Sequence, residues 1–344
     1  MGEITNGYAV EQMQKNWEYK EGLKSRLIEA EALKRGYPVR RLSFDTTILT
    51  IKGQACLFKD MNGPLSSAAM NEVVDNKYLA RTLVKEQDIS VPESMYIRIS
   101  EHDKIKECVQ RVGFPIVIKP NNLARGMGVF VNVNSDERLK ECLTLISSIV
   151  GNEHEKILLE KQFIGDDYRM FVVDGRVIAV SKRARANVEG DGMHTIEELI
   201  EEKNKKRLLN PSMRDYLIPK DLTQLNRLNR EGKALDFVPD EGEIVVLRDE
   251  SNIANGGESI DYTDTAHPDF KDIAIRAVQA IPGLHYAGID IIAKDITEQA
   301  DTSNYVLTEV EFSPGPVSVF PWIGEPIDMA GPVIDFYEKR VSKM

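Results

Sequence analysis

Cysteine is scarce in this sequence: Cys56, Cys108 and Cys142 are the only three in 344 residues, far apart and odd in number. That spacing excludes a disulfide framework and a C-x-x-C metal site. Cys108 and Cys142 fall in helix-like stretches and read as small buried hydrophobes. The five histidines (His102, His154, His194, His267, His285) include no H-x-x-x-H pair that would put two ligands on one helix face, so a zinc enzyme is not expected. A G-x-S-x-G elbow and a G-x-x-x-x-G-K-[ST] loop are both absent. No apolar run approaches the roughly 20 residues needed to cross a bilayer. The first twenty residues are polar, which argues against a secretory signal. Positive charge is in the minority, 44 Lys and Arg against 55 Asp and Glu for a net charge of −11. That balance argues against a general nucleic-acid binder.

What the sequence has is an ordinary soluble composition, 42% hydrophobic and 29% charged. A mainly disordered or fibrous chain is thereby excluded. At roughly 150 residues per domain, two or three compact units are expected, in a cytoplasmic protein without membrane or nucleic-acid partners.

The pattern along the chain alternates helices and strands, which implies an α+β or α/β fold. Apolar positions at helical spacing predict a helix over Asn16–Arg35, ended by Gly36. Val39–Phe44, Thr47–Ile51 and Ala55–Phe58 read as short strands, with Lys52-Gly53 as the second turn. A helix is predicted over Asp75–Glu86 with Asp75 as its cap. Strand Met95–Ile99 and helix Glu101–Val112 follow. Pro115-Ile-Val-Ile-Lys-Pro120 is a β-branched run bounded by prolines, hence a buried strand, with Val129–Val133 as its hairpin partner. Helix Arg138–Val150, strands Ile157–Lys161, Tyr168–Val173 and Val177–Ser181, and a long charged helix over Thr195–Arg230 come next. Strands Glu243–Leu247, Ala287–Ala293 and Tyr305–Phe312 and helix Asp269–Ala280 complete the pattern.

Three stretches could carry chemistry. In Lys119-Pro-Asn-Asn-Leu-Ala-Arg125-Gly126-Met127-Gly128, a lysine closes a buried strand before a loop with two glycines. Such a loop can set a cation and free N–H groups around a polyphosphate; taken alone it is first of all a hairpin loop with a strand-end lysine. Asp290, Glu309 and Glu311 lie on two strand-like segments, the glutamates alternating onto one face. Three such carboxylates repel unless hydrated or bridged by a divalent cation, and a solvated acidic sheet edge competes with that reading. In Arg248–Gly257 an arginine fork suited to phosphoryl oxygens precedes a glycine pair that needs unusual backbone angles or close approach; alone it reads as a surface turn. Phe320–Gly324 reads equally as a substrate-side loop or a packed aromatic one.

Order matters more than any single stretch. Asp75-Asn-Lys77, Val117-Ile-Lys119-Pro, the glycine loop, Leu159-Glu160-Lys161-Gln-Phe163, Arg183, Gly190-Asp-Gly-Met-His-Thr-Ile-Glu-Glu-Leu199, Asn252-Ile-Ala-Asn-Gly-Gly257, Ala287-Gly-Ile-Asp290 and Glu309-Val-Glu311-Phe-Ser-Pro-Gly315 are collinear. This set resembles the ATP-grasp ligases, in particular the ATP-grasp modules of cyanophycin synthetase and bifunctional glutathione synthetase, over roughly Gly63 to the C-terminus.

The resemblance implies an α+β ATP-grasp fold, two subdomains gripping ATP. It divides the chain into a short N-terminal α/β domain (1–74), an N-terminal grasp subdomain with a glycine-rich lid (75–164) and a C-terminal grasp subdomain with a metal site (165–344). It implies Lys77 and Lys119 at the phosphates and Arg125, Gly126, Met127 and Gly128 in the lid. Glu160, Lys161 and Phe163 match the adenine hinge, and Asp167 the ribose. Lys119, Arg183 and Arg248 match the catalytic cations, and Asp290, Glu309 and Glu311 the ligands of Mg²⁺, two ions being expected, with Mn²⁺ as a substitute. The activity implied is ATP-dependent ligation of a small-molecule carboxylate, an amino acid or short peptide, to an amine; a homodimer is compatible with it. Two departures stand out: Glu311 replaces the family's asparagine, and Arg185 takes a place usually held by proline. Glu311 is the best support for the rival reading, a non-catalytic nucleotide-binding or assembly protein.

Overall fold

The computed structural model describes residues 22–121, 123, 127–152 and 154–341. Helix α1 (Leu23–Lys34) follows the expected helix, whose first residues lie outside the described ones. Strands β1 (Val39–Arg41), β2 (Thr46–Ile51) and β3 (Gln54–Lys59) form an antiparallel meander. Lys52 and Gly53, with φ of 49° and 84°, make the two-residue β2–β3 turn.

The helix predicted over Asp75–Glu86 is present as α3 (Lys77–Lys85), and a further helix, α2 (Ala68–Asp75), precedes it. Asp75 ends α2. The cap of α3 is Asn76, extended at φ −88° and ψ 96°, whose side chain accepts from the Leu79 N–H.

The next segment builds a separate layer. Strand β4 (Ser94–Arg98), helix α4 (His102–Val112), strands β5 (Ile116–Pro120) and β6 (Phe130–Val133), helix α5 (Asp136–Val150) and strand β7 (Lys156–Lys161) give an antiparallel sheet of order β4-β7-β5-β6. Its inner face (Ile116, Ile118, Ile157, Leu159) packs on α4 and α5 through Cys108, Cys142 and Ile146. Both cysteines are buried hydrophobes, as their helical setting implied.

The remainder comprises β8 (Asp166–Val173), β9 (Arg176–Ala184), β10 (Asn187–Glu189), α6 (Ile196–Leu209), α7 (Leu222–Arg230), β11 (Ile244–Val246), β12 (Glu258–Asp261), α8 (Pro268–Gln279), β13 (Tyr286–Ala293), β14 (Tyr305–Glu311) and α9 (Ala330–Arg340). Five of these strands form the central sheet, order β12-β9-β8-β13-β14, antiparallel throughout. The long charged helix predicted to Arg230 is broken. Helix α6 stops at Asn210 before Pro211, and α7 starts at its cap Asp221 after Pro219. A Thr195–Glu198 capping box opens α6.

Period-two alternation gives the central sheet two unlike faces. Tyr168, Met170, Val172, Ile289, Ile291 and Leu307 pack under α8 and also under α3, through Ala80 and Val84. On the other face Phe171, Val173, Ala179 and Tyr286 share a core with α1, β2, β3 and α9. The four-stranded layer holds its own core between Ile97 and Leu159, while α2, α3 and the N-terminal meander belong to the two faces of the central sheet.

Tyr286 joins these parts. Its hydroxyl accepts from the Gly63 N–H (3.0 Å), donates to the Met61 carbonyl (3.1 Å) and lies 3.1 Å from the Tyr337 hydroxyl, all buried. Tyr286→Phe leaves a buried N–H and C=O without this partner, at a cost of about 1–3 kcal/mol. The urea midpoint should fall by that free energy divided by the slope, with the slope itself unchanged.

Candidate functional site

The charged half of the second face is built by register. Across the central sheet Arg183 is paired with Asp167, Arg169 with Asp290, and Asp290 with Glu309. Arg169 grips Asp290 through two bonds (Nε to Oδ1 2.7 Å, Nη2 to Oδ2 2.8 Å) and reaches Glu311 at 2.9 Å. Arg183 donates to Asp290 Oδ2 (2.7 Å) and to both oxygens of Asp167 (2.7 and 2.9 Å). Ser251 donates to Asp167 in turn. Burial opposes the charge on Asp290, but Arg169 and Arg183 override it and hold the carboxyl down at about 2. The same pairing lifts the Arg169 pKa well above the usual value against its own burial. Glu311 goes the other way: desolvation raises its pKa, and Glu309 and Asp290 add to that while Arg169 opposes it.

A second cluster joins this sheet to the four-stranded one. Glu160 on β7 is 3% exposed and takes Lys119 Nζ of β5 at 2.7 Å and Arg81 of α3 on its other oxygen. Arg81 also donates through Nε to the Thr308 carbonyl of β14 (2.7 Å). One turn earlier on α3, Lys77 reaches Glu309 (3.0 Å) and the Leu123 carbonyl (3.0 Å). Desolvation works against the Glu160 charge, yet Arg81 and Lys119 pull its carboxyl to about 2. Burial also dominates at Lys119 and lowers its pKa despite Glu160.

The third part is the loop after β11. Arg248 is held by Asp221 and by Glu250 (3.2 Å), and Asn255 also bonds Glu250 (3.0 Å). The glycine pair is required: Gly256 sits at φ 91°, and a Cβ on Gly257 would come within 2.8 Å of the Ala184 carbonyl.

The structure thus brings together Lys77, Lys119, Glu160, Asp167, Arg183, Asp290, Glu309 and Glu311, and links Arg248 to them through the loop that carries Ser251. Arg169 and Arg81 were not singled out from sequence. Arg169 was legible by alternation from Asp167, and Arg81 by the four-residue step from Lys77. Around the predicted hinge, Lys161 donates its N–H to the Glu93 carbonyl (2.9 Å), Glu160 is in register with both Ser94 and Val117, and Phe163 lies under the Lys294 ammonium at 5.8 Å. Met127 is half exposed and Gly128 has a φ of 71°; Arg125 and Gly126 lie outside the described residues.

As cation ligands the three carboxylates differ. Glu309 and Glu311 are oxygen donors about a third exposed (32% and 34%), each paired to one cation, and they fit a hard divalent ion. Asp290 has both oxygens engaged by arginines and joins them only where Arg169 or Arg183 releases it. Among the described residues no three His, Cys, Asp or Glu side chains already converge as a metal cage, and no helix is long and apolar enough to cross a membrane.

A family model described as the phosphoribosylglycinamide synthetase ATP-grasp (A) domain matches residues 75–192. The crystal structure of a bifunctional glutathione synthetase from Pasteurella multocida aligns with a TM-score of 0.67 at 24% identity, over 94% of this chain and 44% of that one. The chain has the ATP-grasp fold. In sequence it is 35% identical to the cyanophycin synthetase of Geminocystis herdmanii over 77% of this chain and 30% of that protein. It is 32% identical to the glutathione biosynthesis bifunctional protein of Clostridium perfringens over 74% of this chain and 32% of that protein. This ATP-grasp chain therefore spans about a third of the length of those relatives.

The Glu160 cluster yields a stability test. Glu160→Gln leaves two buried cations without their carboxylate, at a cost of about 3–5 kcal/mol at pH 7. Because the folded-state pKa of about 2 is depressed from an ordinary 4.5, the contribution is full above about pH 5 and is lost as pH falls toward 2. Urea denaturation at pH 7 and pH 3 should show the gap between parent and variant narrowing at the lower pH.

Proposed function

We propose that this chain is an ATP-dependent carboxylate–amine ligase that forms an amide through an acyl phosphate, joining an amino acid or short peptide to an amine. The observation that carries the reading is the junction of the two sheets. There Lys77 reaches Glu309, next to the alternating row Glu311–Arg169–Asp290–Arg183–Asp167, and Lys119 is held by Glu160 of the neighbouring sheet, in a chain with the ATP-grasp fold and with relatives named as synthetases.

In this reading the carboxylate oxygen attacks the γ-phosphorus, the bond from that phosphorus to the bridging oxygen breaks, and ADP leaves. The amine nitrogen then attacks the acyl carbon, loses a proton, and inorganic phosphate departs. Such transfers depend on positioning and charge neutralisation more than on a nucleophile, and this chain is built for both. Lys119 and Lys77 face the phosphates. Arg183 and Arg248 take the transferred phosphoryl group or the substrate carboxylate. Phe163 and the Lys161 main chain flank the adenine, and Asp167 lies by the ribose. Glu160 holds Lys119 and Arg81 in place. The loop from Arg125 to Gly128 covers the nucleotide and keeps water from the acyl phosphate. A divalent cation held by Glu309 and Glu311, and by Asp290 once an arginine lets go, supplies neutralisation of phosphate charge when bound; a second ion would offset the extra charge of Glu311, and Mn²⁺ could take the same oxygen ligands.

The test is release of phosphate from Mg-ATP on addition of a pool of amino acids and small peptides, with the amide identified by mass spectrometry. No release above background with any acid would sink the ligase reading. Lys119→Ala should weaken ATP binding by roughly 1.5–3 kcal/mol in calorimetry. Glu311→Asn should remain active but need more Mg²⁺ for half-maximal rate, because ligand charge raises cation affinity. Superimposable Mg²⁺ curves would remove Glu311 from the cation's ligands.

A further inference from the structure

The segment from Ile196 to Arg230 contributes no residue to the chemistry above, yet both ends of the loop from Arg248 to Gly257 are fastened to it. Arg207 of α6 is fully buried and gives its donors to main-chain oxygens. Its Nε and Nη2 go to Tyr216 (3.0 and 2.6 Å), Nη1 to Gly256 (3.1 Å) and Gly257 (3.0 Å), and Nη2 also to Ile253 (3.4 Å). A planar fork with several fixed donors can hold those four carbonyls in one geometry; a lysine, with a single point charge, cannot. Ile218, tied to Asn204 of α6 by two hydrogen bonds, lies 2.8 Å from where a Gly256 Cβ would stand.

The other end of the loop is held by α7. Asp221, the α7 cap, takes Arg248; Arg227 (2.9 Å) and Arg230 take Asp249. Between the two fastenings Ser251 touches Asp167, the partner of Arg183. The Gln224 side-chain amide and Arg248 Nε are buried with no hydrogen-bond partner among the described residues, so this frame carries polar capacity that its own contacts do not use.

We propose that α6 and α7 are the frame that sets Arg248 and Ser251 against the Asp167–Arg183 pair, with Arg207 and Asp221 as positioning residues for the ligation. The catalytic part rests on the ligase reading; the positioning part does not. It follows that the loop should lose its fixed geometry when either fastening is cut, while the nucleotide-facing lysines stay where they are.

Hydrogen exchange of the peptide covering 247–257 is compared in the parent, Arg207→Met, Asp221→Asn and Asp221→Glu, alongside Mg-ATP affinity and pool-dependent phosphate release. Expected in Arg207→Met and Asp221→Asn is exchange at least tenfold faster in that peptide, ATP affinity within twofold of the parent, and phosphate release down at least tenfold. Asp221→Glu should restore most of the rate. Should Arg207→Met fail to fold, Asp221→Asn decides, because its side chain is 45% exposed and the change is nearly isosteric. Lys220→Ala, which cuts only contacts with Glu197 and Glu201 of α6, should leave all three readouts unchanged. Parent-like exchange in Asp221→Asn, or an ATP affinity that falls in step with the rate, overturns the proposal. A parent without pool-dependent release overturns the ligase reading instead, and the exchange data then decide the positioning role alone.

Discussion

One buried carboxylate, Glu160, holds Lys119 and Arg81 at once, and the relation between the two sheets depends on it. Lys119 comes from within the four-stranded layer, whereas Arg81 comes from a helix packed on the central sheet and is bonded to Thr308 of β14. The three charges are desolvated together, so the pairing adds little net stability compared with an apolar contact of the same volume. What it fixes is geometry. With Arg81 held, Lys77 one turn away can reach both Glu309 and the start of the glycine loop.

The row on the central sheet follows the same logic. Acid and base alternate from Glu311 through Arg169, Asp290 and Arg183 to Asp167, so each charge is held by neighbours from different strands. Both arginines of the row are therefore fixed by carboxylates before anything binds, and Asp290 is free for another partner only when one of them moves.

Much of the frame was legible in the sequence, because it was written in local rules. The β2–β3 turn follows from Lys52-Gly53, and the buried strand from its β-branched run between prolines. The helix over 75–86 was legible except for its cap, because Asp75 and Asn76 are both good caps; tertiary packing of Met70 and Val74 creates a helix before them that propensity does not signal. The break at 210–221 was present in Pro211 and Pro219 but was outweighed by helical composition on either side. At the site, residue types and order were readable, and pairing was not. That Asp290 is committed to two arginines depends on strand register, a non-local property that no window of sequence contains.

The unequal second face of the central sheet carries a consequence for how this protein can be divided. Its charged half holds Arg169 and Asp290, and two residues further along β8 and toward the start of β13 the same face becomes Phe171, Val173 and Tyr286, roofed by α1, β3 and α9. A chain trimmed to begin at residue 75 would keep every charge named above and lose most of that roof. The uncovered aromatics would border the arginines directly, inviting association between molecules beside the charged row. The N-terminal meander is therefore a wall of the same sheet that carries the charged row.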